Sequence, residues 1–308
     1  MKKFFKMILA LNIQLFANAI DYAKKFLPII DAIYKSGAKT NGMDAATKVD
    51  FTGVNEVKVL KISTTGLGDY SRQNGYPKGD VTVGWETMTL TEERAKEISV
   101  DRMDDDETLG TAFGEATGQF MRLHVIPEVD AFRFAKYASH PGISTATAAA
   151  LTKDTIIAAI DEAVRQMNED EVPQEGRRLY INSNLQPMLN QSLNRQWGSD
   201  GTVNTVLSGY NNMPIEWIEP SRFYTGITLN DGATNWGYKK ATGASDINFM
   251  IIYPQAILQV TKFIMPKIFT PDENQEKDAW KFQFRLYHDA FVYENKAKGI
   301  YLHKKPAA

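Results

Sequence analysis

Hydrophobic positions along the chain switch between a helical period and a strand period, and the switches divide it into segments. Ile20, Ala23, Leu27, Ile30 and Tyr34 recur every three or four residues. That is one face of a helix, and it predicts an amphipathic N-terminal arm ended by the turn formers Ser36-Gly37 and Asn41-Gly42. Residues 54–62, with Val57 and Val59, and residues 81–91, with Val81, Val83 and Trp85 in alternation, are β-branched and predict two strands. Between them, residues 65–80 carry Gly66, Gly68, Asn74-Gly75, Pro77 and Gly79 and have no core period. The three pieces read as a long hairpin with a flexible tip, reaching ~33 Å at ~3.3 Å per residue. A two-stranded ribbon of that length is not stable alone in water and needs another surface to lie on.

The helical period returns at Phe113, Ala116, Phe120, Leu123, Pro127, Ala131, Phe134 and Ala138. It predicts a spine of about 32 helical residues, ~48 Å long, with a kink at Pro127. Asp104, Asp105, Asp106 and Glu107 stand just before this stripe, where negative charge suits the free N–H groups of a helix start. As consecutive side chains they point apart, so a metal site is the weaker reading. Small residues over 138–152 form a linker, and a second domain begins near Thr152. There Ile156, Ile157, Ile160, Val164 and Met167 predict a helix, residues 179–181 a buried strand, and residues 184–194 a helix with Pro187 in its first turn. Short strands are predicted at 215–218, 249–253 and 257–260. Near the C-terminus Trp280, Phe282, Phe284 and Leu286 alternate with Lys281, Gln283 and Arg285, a strand with one buried face. The mixture is α+β, not a repeated βαβ array.

Composition narrows the chemistry. At 308 residues the chain allows about two domains. Thirty-five Lys and Arg against 37 Asp and Glu leave a net charge of −2, without the basic excess of a duplex-gripping protein. Within the first 48 residues eight Lys face three Asp, so the arm is locally basic. No cysteine is present, which removes disulfides, thiolate metal sites and thiol catalysis. The N-terminus imitates an export signal, but Lys6, Asn12 and Gln14 interrupt its apolar run. No stretch approaches the ~18 apolar residues of a membrane span. Phosphate-loop, nucleophile-elbow and zinc-protease motifs are all missing, and Gly66-Leu67-Gly68 lacks the third glycine of a dinucleotide fingerprint. His124 on the spine reads as structural, and the neighbours His288 and Asp289 face opposite ways on a strand. No catalytic residue, cofactor or metal ligand is assigned.

The order of parts, the opening Leu11-Asn-Ile-Gln-Leu-Phe-Ala17 and the ending Glu294-Asn-Lys-Ala-Lys-Gly-Ile-Tyr301 together resemble the major capsid proteins of tailed bacteriophages, with the HK97-like fold. The resemblance covers essentially the whole chain. It implies an N-terminal arm (1–48), an extended hairpin loop (49–102), a peripheral domain with the spine helix (103–150 and 270–308) and an axial domain (151–269). It implies a homo-oligomer whose pentamers and hexamers close into an icosahedral virion capsid, assembled in the host cytoplasm with scaffold, portal and decoration proteins, around DNA contacted non-specifically at most. Expected inter-subunit contacts are Ile20, Leu27 and Ile30 on the arm, Val81, Val83 and Trp85 on the hairpin, and Asp69, Arg72 and Lys78 at its tip, with the acidic run Asp104, Asp105, Asp106 and Glu107 as a charge partner. Some shells of this family carry a Lys–Asn isopeptide cross-link; Lys78 is suitably placed, but no matching Asn or Glu stands out, and a lone lysine on a polar loop reads as solvated. The alternatives are an encapsulin-type shell around protein cargo and an exported binding protein.

Overall fold

The computed structural model describes residues 37–43, 56–73, 75–107, 112–192 and 209–306. The chain divides into two compact units, Ala46–Glu92 and the remainder.

In the smaller unit β1 (Glu56–Thr64) and β2 (Val81–Thr89) pair antiparallel without a register break, from Glu56↔Thr89 to Thr64↔Val81. Nine residues per strand give an extended length of ~30 Å. Thr65 N–H donates to the Asp80 carbonyl at 3.3 Å, continuing the ladder into the tip. Within the tip, Ser71 and Gly75 exchange two backbone hydrogen bonds, at 3.2 and 2.7 Å. Gly75 sits at φ +78, a left-handed turn position where a Cβ is disfavoured.

The larger unit includes the stretch 37–43 and, from Glu93 onward, the rest of β3 (Glu92–Asp101) and then α1 (Arg102–Glu107). The spine follows as α2 (Ala112–Phe120), a π-helical segment (Met121–Val125) and α3 (Ile126–Ser139). Then come β4 (Ser144–Thr145), α4 (Ile156–Glu169), β5 (Arg178–Asn182) and α5 (Gln186–Ser192). Beyond them are β6 (Gly209–Tyr210), β7 (Met213–Ile218), β8 (Ile227–Leu229), β9 (Tyr238–Lys240) and β10 (Ile247–Ile252). The long strands β11 (Ile257–Phe269) and β12 (Ala279–Val292) precede the last strand, β13 (Ile300–Lys304).

A six-stranded mixed sheet runs β4-β13-β10-β5-β7-β6. Its central strand β10 is buried at all six positions because helices cover both faces. Phe249 and Ile251 meet Ile160 and Met167 of α4, whereas Met250 and Ile252 join Phe134 and Tyr137 of α3. A separate three-stranded sheet, β11-β12-β3, packs Phe282, Phe284 and Leu286 against Phe113, Met121 and Val129 of the spine. The alternation expected over 280–286 is the apolar face of this sheet.

Three sequence expectations change here. Residues 92–101, where the pattern predicts no strand, form β3, held by Arg285 to Glu93 at 2.6 Å and Gln283 to Glu97 at 2.7 Å. Their charged alternation hides a strand whose outward positions pair with polar groups next door. The short strand expected at 257–260 extends through Phe269, paired along its length with β12. The spine is also not uniformly α. Pro127 has no N–H to offer the Leu123 carbonyl, and the departure from α geometry falls one turn earlier, where Ile126 N–H donates to the Met121 carbonyl five residues back. The extra residue shifts the phase of the buried stripe, so Leu123 is 64% exposed while Met121 and Val125 are buried.

Candidate interaction surfaces

The register of the hairpin decides which side chains share a face. Leu60 lies opposite Trp85, Ile62 opposite Val83 and Thr64 opposite Val81. Directly paired residues project to one side. Five apolar side chains therefore form one strip, exposed by 46% (Leu60), 54% (Ile62), 63% (Val81), 59% (Val83) and 66% (Trp85). The opposite face carries Val59, Glu86 and Lys61, and nearer the strand ends the buried pair Val57 and Met88. At the tip, Leu67, Tyr70 and Tyr76 are exposed as well, with the two tyrosine rings edge to face at 5.1 Å. Asp69, Arg72 and Lys78 are exposed on the same loop.

Sequence reasoning singled out Val81, Val83 and Trp85 but not Leu60 or Ile62. Strand β1 carries apolar residues at both parities, Val57 and Val59 against Leu60 and Ile62, and only the pairing register separates them. Ile20, Leu27 and Ile30 lie outside the described residues.

The acidic run is divided. Asp104, Asp106 and Glu107 are exposed on α1, whereas Asp105 is buried, and its Oδ1 accepts from Phe113 N–H at 3.2 Å. The run does not merely precede a helix: it forms a short one, and Asp105 supplies the carboxylate at the start of the next. This inward commitment sets Asp105 apart from its three neighbours as a surface charge.

A cleft of about 550 Å³ lies between the spine and the three-stranded sheet, walled by Ile98, Phe120, Leu123, Val129, Trp236 and Phe284. Arg94 bridges its rim, donating to Glu128 at 2.6 Å and to the Asn230 carbonyl at 2.7 Å, and Lys96 Nζ stands 3.3 Å from the centre of the Trp236 ring. The polar groups are spent on each other, and His124 is tilted against the Phe120 ring at 6.0 Å. No nucleophile and base converge in the cleft. His288 packs edge-on against Phe132 at 5.2 Å, and burial lowers its pKa to about 3, leaving a neutral imidazole. Its neighbour Asp289 faces Lys136 at 3.7 Å and the Ala290 N–H at 2.7 Å. Among the described residues no group of three or more His, Asp or Glu side chains is placed to hold a metal ion.

Against known proteins, residues 85–301 match the family model described as phage capsid protein. No curated protein matches the chain in sequence. Among solved structures the chain resembles one from Mycobacterium phage Che8, with TM-score 0.58 and 14% identity over 82% of this chain and 85% of that one. The capsid of cyanophage P-SCSP1u matches with TM-score 0.57 and 13% identity, over 84% and 85%. A virus-like particle from Pyrococcus furiosus matches with TM-score 0.55 and 12% identity, over 92% and 99%.

Proposed function

Since the chain belongs to the phage capsid protein family and has the HK97-like fold, we propose that it is the major coat subunit of a tailed-phage head, closing as pentamers and hexamers into an icosahedral shell around double-stranded DNA. The role is structural: surfaces, not a reacting centre, do the work. The observation that carries this reading is the apolar strip of Leu60, Ile62, Val81, Val83 and Trp85 on a bare two-stranded ribbon. A soluble monomer has no reason to keep such a strip, and a neighbouring copy that covers it recovers on the order of 1–2 kcal/mol per side chain. Exposed charges at the tip add ~0–1 kcal/mol each and set register more than affinity, with Arg72 and Lys78 meeting Asp104, Asp106 and Glu107 of a neighbour and Asp69 meeting a basic side chain there. The basic arm, carrying Ile20, Leu27 and Ile30, is a further contact and faces the packaged DNA. Residues 103–150 with 270–308 form the peripheral part and residues 151–269 the axial part of each capsomer. Scaffold, portal and decoration proteins complete the particle, which is assembled in the host cytoplasm.

The second reading is an encapsulin-type shell around protein cargo; the nearly complete overlap with the Pyrococcus furiosus particle favours it, and the family match favours the phage head. Negative-stain microscopy with gel filtration of the full-length chain tests the shell. Closed particles or capsomer rings are expected. A monomer that stays monodisperse in the presence of its scaffold, with the strip covered by its own chain, overturns it. Nucleic acid as against protein inside isolated particles separates the two shells.

A further inference from the structure

The stretch 37–43 is held to the spine helix chiefly through the buried Asp130, with Lys39 Nζ also 3.9 Å from Glu216 of β7. Asp130 of α3 is fully buried, and its two carboxylate oxygens take three hydrogen bonds from two consecutive residues. Lys39 N–H donates at 3.1 Å, Thr40 N–H at 3.2 Å and the Thr40 hydroxyl at 2.7 Å. Arg133, one turn along α3 and also buried, donates from Nη1 to the same Thr40 hydroxyl at 2.8 Å, and Arg222 approaches Asp130 at 3.4 Å. On either side of this knot the contacts are apolar. Gly37 runs so close to Ile126 that a Cβ would lie 2.7 Å from its Cδ1, and Met43 enters the core beside Phe132.

We infer that Asp130 is a latch: its carboxylate holds residues 37–43 across the spine helix as a strap, and the strap detaches as a unit, without unfolding of the sheets, when that carboxylate is lost. The strap is covalently continuous with the predicted arm on one side and, three residues after Met43, with the hairpin unit on the other. A charge in a dry site is a costly way to make an attachment, and burial pushes the Asp130 carboxyl above its ordinary range even against the pull of its donors. An attachment made this way is close to all-or-none, since a half-satisfied buried carboxylate is worse than none. The inference concerns the subunit itself and stands apart from the shell reading.

The test is limited trypsin digestion of the full-length chain, following by mass the cleavage after Lys39 and, as an internal standard for the body, the cleavage after Arg178 in buried β5. Asp130→Asn removes the second acceptor, and Thr40→Val removes the hydroxyl while leaving every body contact of Asp130 in place. Both variants are expected to speed cleavage after Lys39 at least ten-fold with cleavage after Arg178 unchanged. If Asp130→Asn does not fold, Thr40→Val alone decides. Unchanged cleavage after Lys39, or a rise matched by Arg178, overturns the latch and makes Asp130 an ordinary core residue.

Discussion

Asp105 and His288 show how one side chain acquires a role that its neighbours do not share. Asp105 sits among four acidic residues, but it alone is buried and bonded to the start of α2. Asp105→Ala is therefore expected to cost about 1 kcal/mol in urea denaturation, the usual loss for a helix-start acceptor, whereas exposed Asp106→Ala costs less than ~0.5 kcal/mol. His288 stays neutral because its site is dry and Arg133 stands nearby. Its unfolded pKa is ~6.5 and its folded pKa is about 3, so the unfolded chain binds the extra proton between those values. The contribution of this group to stability is complete above pH 6.5 and is lost as pH falls from there toward 3, by up to several kcal/mol. The difference in unfolding free energy between the native protein and His288→Phe, measured at pH 7 and pH 4, isolates it: the native protein loses more on acidification. Equal losses would mean the imidazole is solvated.

At the scale of elements, pairing and phase decide what amino-acid type leaves open. The two strands of the hairpin are legible from Val57, Val59, Val81 and Val83, but the strip that matters was legible only on its β2 half. Its other half depends on Leu60 meeting Trp85. Trp85→Asp and Ile62→Asp put a charge on that strip without touching any buried position. Both are expected to abolish rings and closed particles in the microscope while shifting the thermal midpoint of the subunit by less than ~2 °C. A variant that still assembles shows that the strip lies outside the interface. The periodicity predicts one helical stripe for the spine, and the π segment at Met121–Val125 breaks its phase. A residue pattern reports that a helix exists; a register shift around a proline depends on which carbonyls find donors.

On the scale of the whole molecule, the three hydrophobic cores draw their described residues from outside Ala46–Glu92. The larger unit thus carries its own stability. Replacing residues 56–89 by a short Gly-Ser linker is expected to leave near-UV circular dichroism and cooperative unfolding intact and to end assembly. Loss of cooperative folding would mean that the hairpin is part of the core. A net charge of −2 suits such a subunit, since a strongly basic one would bind nucleic acid before closing on its own kind. The same argument places the basic excess in the arm, where it is local.

Local periodicity by itself determined the α+β class, the hairpin, the spine, the helix α4 and the aromatic alternation of β12, because each of these is written in residues three, four or two apart. The two terminal motifs added the family. Tertiary structure decided whatever joins distant positions. Thr40 and Asp130 lie 90 residues apart and Gln283 and Glu97 186 apart, and no spacing rule pairs them. Strand β3 was hidden for the same reason: its charged residues become strand-like only beside β12. Burial of every position of β10 likewise required two helices, from different parts of the chain, to close on both faces of one sheet.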